Sequence, residues 1–190
     1  YLFIAPVVLI YIGVIPVSWR VLVLLVVTLF IVGIMRHQRW TREEMGIRKY
    51  THFSEAFWYS LVTLVGVFAI IFYAKKLHAV PLDLDDFQLS WKLILFFIPL
   101  SVLQEVAYRS FLMRRLQQLI GSRTHRILIN TGLFTLLHII YPLPILMLPV
   151  AFIGGICFAL LYDYYPNLLI ISISHSILNF VAVLFGFFTY

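Results

Sequence analysis

Three short stretches of this sequence hold side chains of the types that hydrolyse amide bonds. The first is Ser101-Val-Leu-Gln-Glu-Val-Ala-Tyr-Arg109, which carries Gln104, Glu105 and Arg109. The second is Phe134-Thr-Leu-Leu-His138, and the third is Ser174-His-Ser-Ile-Leu-Asn179, with His175 and Asn179. Glu105 and Arg109 are four apart, as are His175 and Asn179, so on a helix each pair shares a face. A carboxylate in a desolvated cavity can act as general base on water. One imidazole can position that water or share its proton, while the other, with the Asn179 amide, can donate hydrogen bonds to the oxyanion of a tetrahedral intermediate. Glu105, His138 and His175 are equally a zinc-type ligand set that leaves a fourth position for water. A divalent metal such as zinc and metal-free activated water therefore both stay open. Each group also has a plain structural role: Glu105–Arg109 as a neutralising ion pair, the others as interhelical hydrogen bonders contributing roughly 0.6 kcal/mol each. Ser172, Ser174 and Ser176 are weaker nucleophile candidates, because serine in a membrane helix commonly bonds back to its own backbone.

The elements that must position these groups lie in a membrane. Hydrophobic residues make up 63% of the 190 and charged residues 12%, against roughly 45–50% and 25% in a soluble domain. A soluble domain of this size cannot bury so much apolar surface, and disorder needs the opposite composition. The runs are continuous rather than alternating, which argues against a β-barrel. Seven helical segments are expected: 2–17, 21–35, 54–74, 91–112, 127–140, 145–162 and 168–188. The fold class is thus all-α, a polytopic transmembrane bundle of about seven helices. We read one domain over 1–190, with N-terminal helices in 1–90 and a four-helix catalytic core in 91–190. Ala151, Gly155 and Ala159 form a small-residue stripe suited to close helix approach.

The net charge is +6. If all seven segments cross, Arg36, Arg39, Arg42, Arg48, Lys49, Arg114, Arg115, Arg123 and Arg126 fall on one side. Arg20, Lys75, Lys76, Lys92 and the acidic Asp83, Asp85 and Asp86 fall on the other. The positive-inside rule makes the first side cytoplasmic and puts the N-terminus inside. The basic breaks 36–50 and 113–126 read as solvated loops that anchor helix ends and face anionic lipid. Membrane lipids are the expected partners; no aromatic-interleaved basic patch points to nucleic acid. The single cysteine, Cys157, forms no internal disulfide and excludes a four-thiolate metal site.

Ionisable groups inside spans are costly and mark function. Counted at 1.5 Å per residue from the cytoplasmic helix ends, Glu105 and His175 lie roughly 10 Å deep, and His138 and Asn179 roughly 16–17 Å. Residues from three helices at one depth imply a shared polar cavity that opens toward the cytoplasm.

With that arrangement, the runs Gln104-Glu105-x-x-x-Arg109, Phe134-x-x-x-His138 and His175-x-x-x-Asn179 resemble the three motifs of the intramembrane CAAX-protease and bacteriocin-processing (Abi) family, in that family's order. The resemblance covers 91–188. It implies a polar chamber within the bilayer of a bacterial cytoplasmic membrane. It also implies endopeptidase action on a membrane-associated or lipidated peptide or protein, or on a bacteriocin or signal-peptide precursor. On this reading Glu105 is the general base aided by His138, and His175 and Asn179 bind the oxyanion or, with His138, hold a metal. Arg109 fixes the carboxylate and Gln104 orients water. The chain departs from the family at Gln104, where the usual first motif has a glutamate assigned to activate water. An amide cannot act as a base, so a second reading is a non-catalytic member serving as an immunity or partner-binding protein.

Overall fold

The computed structural model describes residues 1–48, 52–77, 87–141, 144–185 and 187. Lys49 and the acidic run Asp83, Asp85 and Asp86 lie outside the described residues, as do the end of the last expected segment and the Lys92 side chain. Among the described residues the fold is all-helical, with no strand. It comprises α1 (Ala5–Tyr11), α2 (Arg20–His37), α3 (Phe53–Lys76), α4 (Phe87–Glu105), α5 (Arg114–Leu119), α6 (Arg123–Leu137), α7 (Pro144–Tyr164) and α8 (Leu168–Leu184). A π-helical stretch, Val106–Met113, runs without a break between α4 and α5.

Three helical stretches, Val17–His37, Phe53–Lys76 and Met147–Tyr164, are long and apolar enough to cross a membrane, and α8 is a shorter apolar helix. The expectation for the first segment is corrected. α1 has seven residues and so spans about 10 Å, a third of a hydrocarbon core. Pro6 opens it, and Gly13 at φ +79° ends it soon after.

The spans are inside-out relative to a soluble bundle. On α2 the buried stripe is Leu24, Thr28, Ile31 and Met35, while Leu22, Leu25, Val26, Leu29 and Phe30 face outward. On α3 the buried stripe includes Glu55, Tyr59 and Thr63, and the exposed face carries Phe57, Trp58, Leu64, Val65 and Phe68. Apolar residues on every face suit a helix whose outer side meets lipid. The most extensive packing among the described residues is between α6 and α7, α3 and α8, and α4 and α8.

One end of the bundle gathers the basic segments; Arg36, Arg39, Arg42 and Arg48 are exposed, as expected of solvated segments, and the backbone between them is docked on the bundle. Thr41 and Glu44 form a capping box: Thr41 N donates to Glu44 Oε2 at 2.7 Å, and Glu44 N donates to Thr41 Oγ1 at 3.2 Å. The Thr41 backbone bond leads the influences that lower the Glu44 pKa. The next residues pin this turn to the bundle. Met45 O accepts from Ser110 Oγ at 2.7 Å and Gly46 O from Leu168 N at 2.8 Å. Gly46 sits at φ +77°, where an added Cβ would strike the Tyr162 hydroxyl. Arg48 pairs with buried Glu55 at 2.7 Å, whose other oxygen accepts from Asn167 Nδ2 at 3.2 Å. Arg123 and Arg126 pair with Asp163 at 2.8 and 3.3 Å. The 36–48 segment, α5 and the α7–α8 turn thus share one end.

Candidate active site

α4 delivers Ser101, Gln104 and Glu105 to the bundle interior, and the π stretch delivers Arg109; all four are buried. The π turn keeps 107–113 inside without interruption. Wide turns of this kind occur mostly at functional sites. Part of its support comes from α6, where buried Asn130 donates from Nδ2 to Tyr108 O at 2.6 Å.

Glu105 is fully buried and joins α4 to α8, its Oε1 accepting from His175 Nδ1 at 2.6 Å. Arg109 Nε stands 3.5 Å from Glu105 Oε2, an ion-pair separation. Arg109 Nη2 also donates to Gly155 O at 3.3 Å, and its guanidinium lies over the Phe134 ring at 4.2 Å. Among the described residues, Nε and Nη1 have no hydrogen-bond partner. Gly155 allows this contact: a Cβ there would come within 3.1 Å of Thr131 Cγ2 and 3.2 Å of Phe134 Cδ1. The small-residue stripe therefore does more than pack helices, since it brings a carbonyl to the buried cation.

His138 stands where α6 tightens into a 3₁₀ turn, and its Nδ1 donates to Phe134 O at 2.9 Å. Phe134 links the groups. Its ring centroid is 4.9 Å from that of His138 and 5.6 Å from that of His175. Asn179, one turn beyond His175, donates from Nδ2 to Ser101 Oγ at 3.0 Å.

A cavity of about 460 Å³ lies among α3, α6, α7 and α8. Its wall includes Leu61, Val65, Ile70, Val150 and Leu178, and His138, His175 and Asn179 line it too. Glu105, Arg109 and Gln104 are not on this wall. Glu105 stands behind His175, and Gln104 is buried with its Oε1 lacking a hydrogen-bond partner among the described residues. The expected residues are thus brought together, but in two layers: imidazoles and amide at the cavity, carboxylate and guanidinium behind.

That layering bears on a metal. Each imidazole lines the cavity and commits Nδ1 to an acceptor, as metal-ligating histidines do, which makes Nε2 the nitrogen left for a ligand. The carboxylate, however, backs His175 instead of joining the donors. Among the described residues, no group of three His, Cys, Asp or Glu is placed to hold a metal. Two imidazoles fall short of the three protein ligands of a catalytic zinc, so the set Glu105, His138 and His175 does not fit one as arranged.

Sequence reasoning gave no role to Ser101, Asn130 or Glu55, and read Gly155 only as part of a helix-packing stripe. Glu55 was legible in principle as a carboxylate at the start of an apolar span. The other three are small or neutral, and only tertiary contact distinguishes them.

No curated protein and no solved structure matches this chain. A family model described as type II CAAX prenyl endopeptidase Rce1-like matches residues 86–181. The matched region is half of the chain and contains all the motif residues from Gln104 to Asn179. The chain therefore belongs to the Rce1-like family of type II CAAX prenyl endopeptidases, membrane-embedded helical proteins.

Proposed function

We propose that this protein is an intramembrane endopeptidase that hydrolyses a peptide bond with water activated at His175. The observation that carries this reading is the 2.6 Å contact between Glu105 Oε1 and His175 Nδ1, with His175 on the cavity wall. A carboxylate on Nδ1 fixes the tautomer, leaves the Nε2 lone pair toward the cavity and stabilises the imidazolium formed when Nε2 takes a proton. Direct proton abstraction from water by Glu105 as general base, expected from sequence, gives way in this reading to action through His175, because the carboxylate is enclosed behind the ring. His138, held through Nδ1, offers a second Nε2 acceptor to orient the water. As the water oxygen bonds to the carbonyl carbon, its proton passes to His175 Nε2, and the Asn179 amide donates to the oxyanion. His175 then returns the proton to the leaving nitrogen as the C–N bond breaks. Arg109 balances the Glu105 charge. No step is routed through a metal.

The substrate read from the wall is an apolar, membrane-associated peptide, such as a lipidated protein or a bacteriocin or signal-peptide precursor. The membrane is read as a bacterial cytoplasmic membrane, with the basic end on the cytoplasmic side. With α1 too short to cross, the N-terminus moves to the opposite side and the basic segments stay together. Purified protein should cleave quenched apolar peptides, lipidated or not. Glu105→Gln and His175→Ala should each lower turnover about 10²–10⁴-fold; wild-type turnover in both variants would falsify the reading.

One observation favours a non-catalytic, partner-binding or immunity role. Gln104 takes the place of the usual glutamate and buries an Oε1 that has no hydrogen-bond partner among the described residues. Cleavage gained by Gln104→Glu in an otherwise inert protein would support that second reading.

A further inference from the structure

We infer that Ser101 is a positioning residue that sets the orientation of the Asn179 amide at the cavity; this rests on the proposed role of Asn179 as oxyanion donor. Ser101 is fully buried on α4, one turn before Glu105, and is not on the cavity wall. Its Oγ has two neighbours: Phe97 O at 2.8 Å and Asn179 Nδ2 at 3.0 Å. A carbonyl oxygen can only accept, so the one hydroxyl proton of Ser101 goes to Phe97 O. Ser101 Oγ is then left as an acceptor alone. Whatever Asn179 turns toward it must be a donor, and the only donor in that side chain is the nitrogen.

The orientation of the amide thus follows from valence and does not depend on telling nitrogen from oxygen by their positions. With one N–H held by Ser101, the second N–H of the same nitrogen is the only donor that Asn179 has for the cavity. An unrestrained asparagine could turn its oxygen to the same place, where it would repel an oxyanion. Preorganised donors act because they need not reorient as charge develops. Phe97, Ser101 and Asn179 therefore form a relay in which a backbone carbonyl of α4 dictates the polarity of a group on α8.

A bond that merely stitched α4 to α8 would stabilise the fold and leave the chemistry alone, so a double-mutant cycle separates the two roles. On a cleaved peptide, Ser101→Ala should lower kcat about tenfold with KM unchanged, and Ser101→Thr, which keeps a hydroxyl able to bond the i−4 carbonyl, should restore it. Asn179→Ala should lower kcat about 10²-fold. The double variant should match Asn179→Ala alone, because Ser101 acts only through that amide. Multiplied losses, or a Ser101→Ala variant with wild-type kcat, overturn the inference while leaving the role of Asn179 intact. An Asn179→Ala variant with wild-type kcat overturns that role and the inference with it. If the wild-type protein cleaves nothing, hydrogen exchange of the Asn179 side-chain NH₂ decides instead. Ser101→Ala should speed it about tenfold, and an unchanged rate overturns the inference.

Discussion

Glu105 shows how a residue can be central to a site without touching its cavity. It has no exposed surface, one oxygen on an imidazole and the other facing a guanidinium. A buried carboxylate of this kind depends on its partners. Removing one charge of a buried pair typically costs about 3–5 kcal/mol, whereas replacing both with neutral groups of similar size is often nearly neutral. Arg109→Met should therefore destabilise the protein by about 3–5 kcal/mol, read by denaturant unfolding in detergent. Adding Glu105→Gln should recover most of that loss while activity stays abolished. Equal stability of the single and double variants would contradict the pairing. The depth arithmetic anticipated this contact, putting Glu105 and His175 in the same layer, because helical rise converts sequence position to height. It did not separate wall from backing, since azimuth around the bundle depends on how helices roll against each other. Ser101 was invisible for a related reason, since a hydroxyl matters only through what lies opposite, and Gly155 was legible as a packing residue but not as the one whose carbonyl meets Arg109.

The wide turn at 106–113 is the element that carries Arg109 beside Glu105. A π turn closes its hydrogen bonds at i→i+5 and is strained relative to an α-helix unless its carbonyls and side chains find other partners. Asn130 supplies one such bond to Tyr108 O, and Ser110 fastens the outer edge to Met45 O. Asn130→Ala removes the first and should cost about 1–3 kcal/mol. Its clearest readout is loss of amide-exchange protection confined to 106–113. Loss spread evenly through the bundle would argue that Asn130 is ordinary core. Most other elements were legible from continuous apolar runs, and the bounds of α3, α7 and α8 fall within a few residues of expectation. The first segment was not. Its hydropathy suits a span, but Pro6 and Gly13 confine the helix to Ala5–Tyr11. The break 113–126 was read as loop because its arginines outweigh Leu116, which is buried.

For the molecule as a whole, orientation in the membrane follows from which connections share an end. The segment from Thr41 to Arg48, α5 and the α7–α8 turn are tied together by Met45, Gly46, Arg48 and Arg114. Single cysteines placed at Arg39 and Gln118 in a Cys157→Ala background should be labelled by an impermeant thiol reagent from one side of the membrane. A cysteine at Lys76 should be labelled from the other. Labelling of positions 39 and 118 from opposite sides would break the proposed topology. The π stretch has a further consequence for comparing this chain with others. In an α-helix, each residue added or removed turns everything beyond it by about 100°. An eight-residue wide turn absorbs such a step, so it works as a phase shifter between Glu105 and α5. A relative one residue shorter between Glu105 and Arg114 would present the same hydropathy and the same motif letters. By running there as an ordinary α-helix it would keep its carboxylate and its basic end in phase, so a one-residue gap at that place should be read as the loss of the wide turn rather than as a change of mechanism.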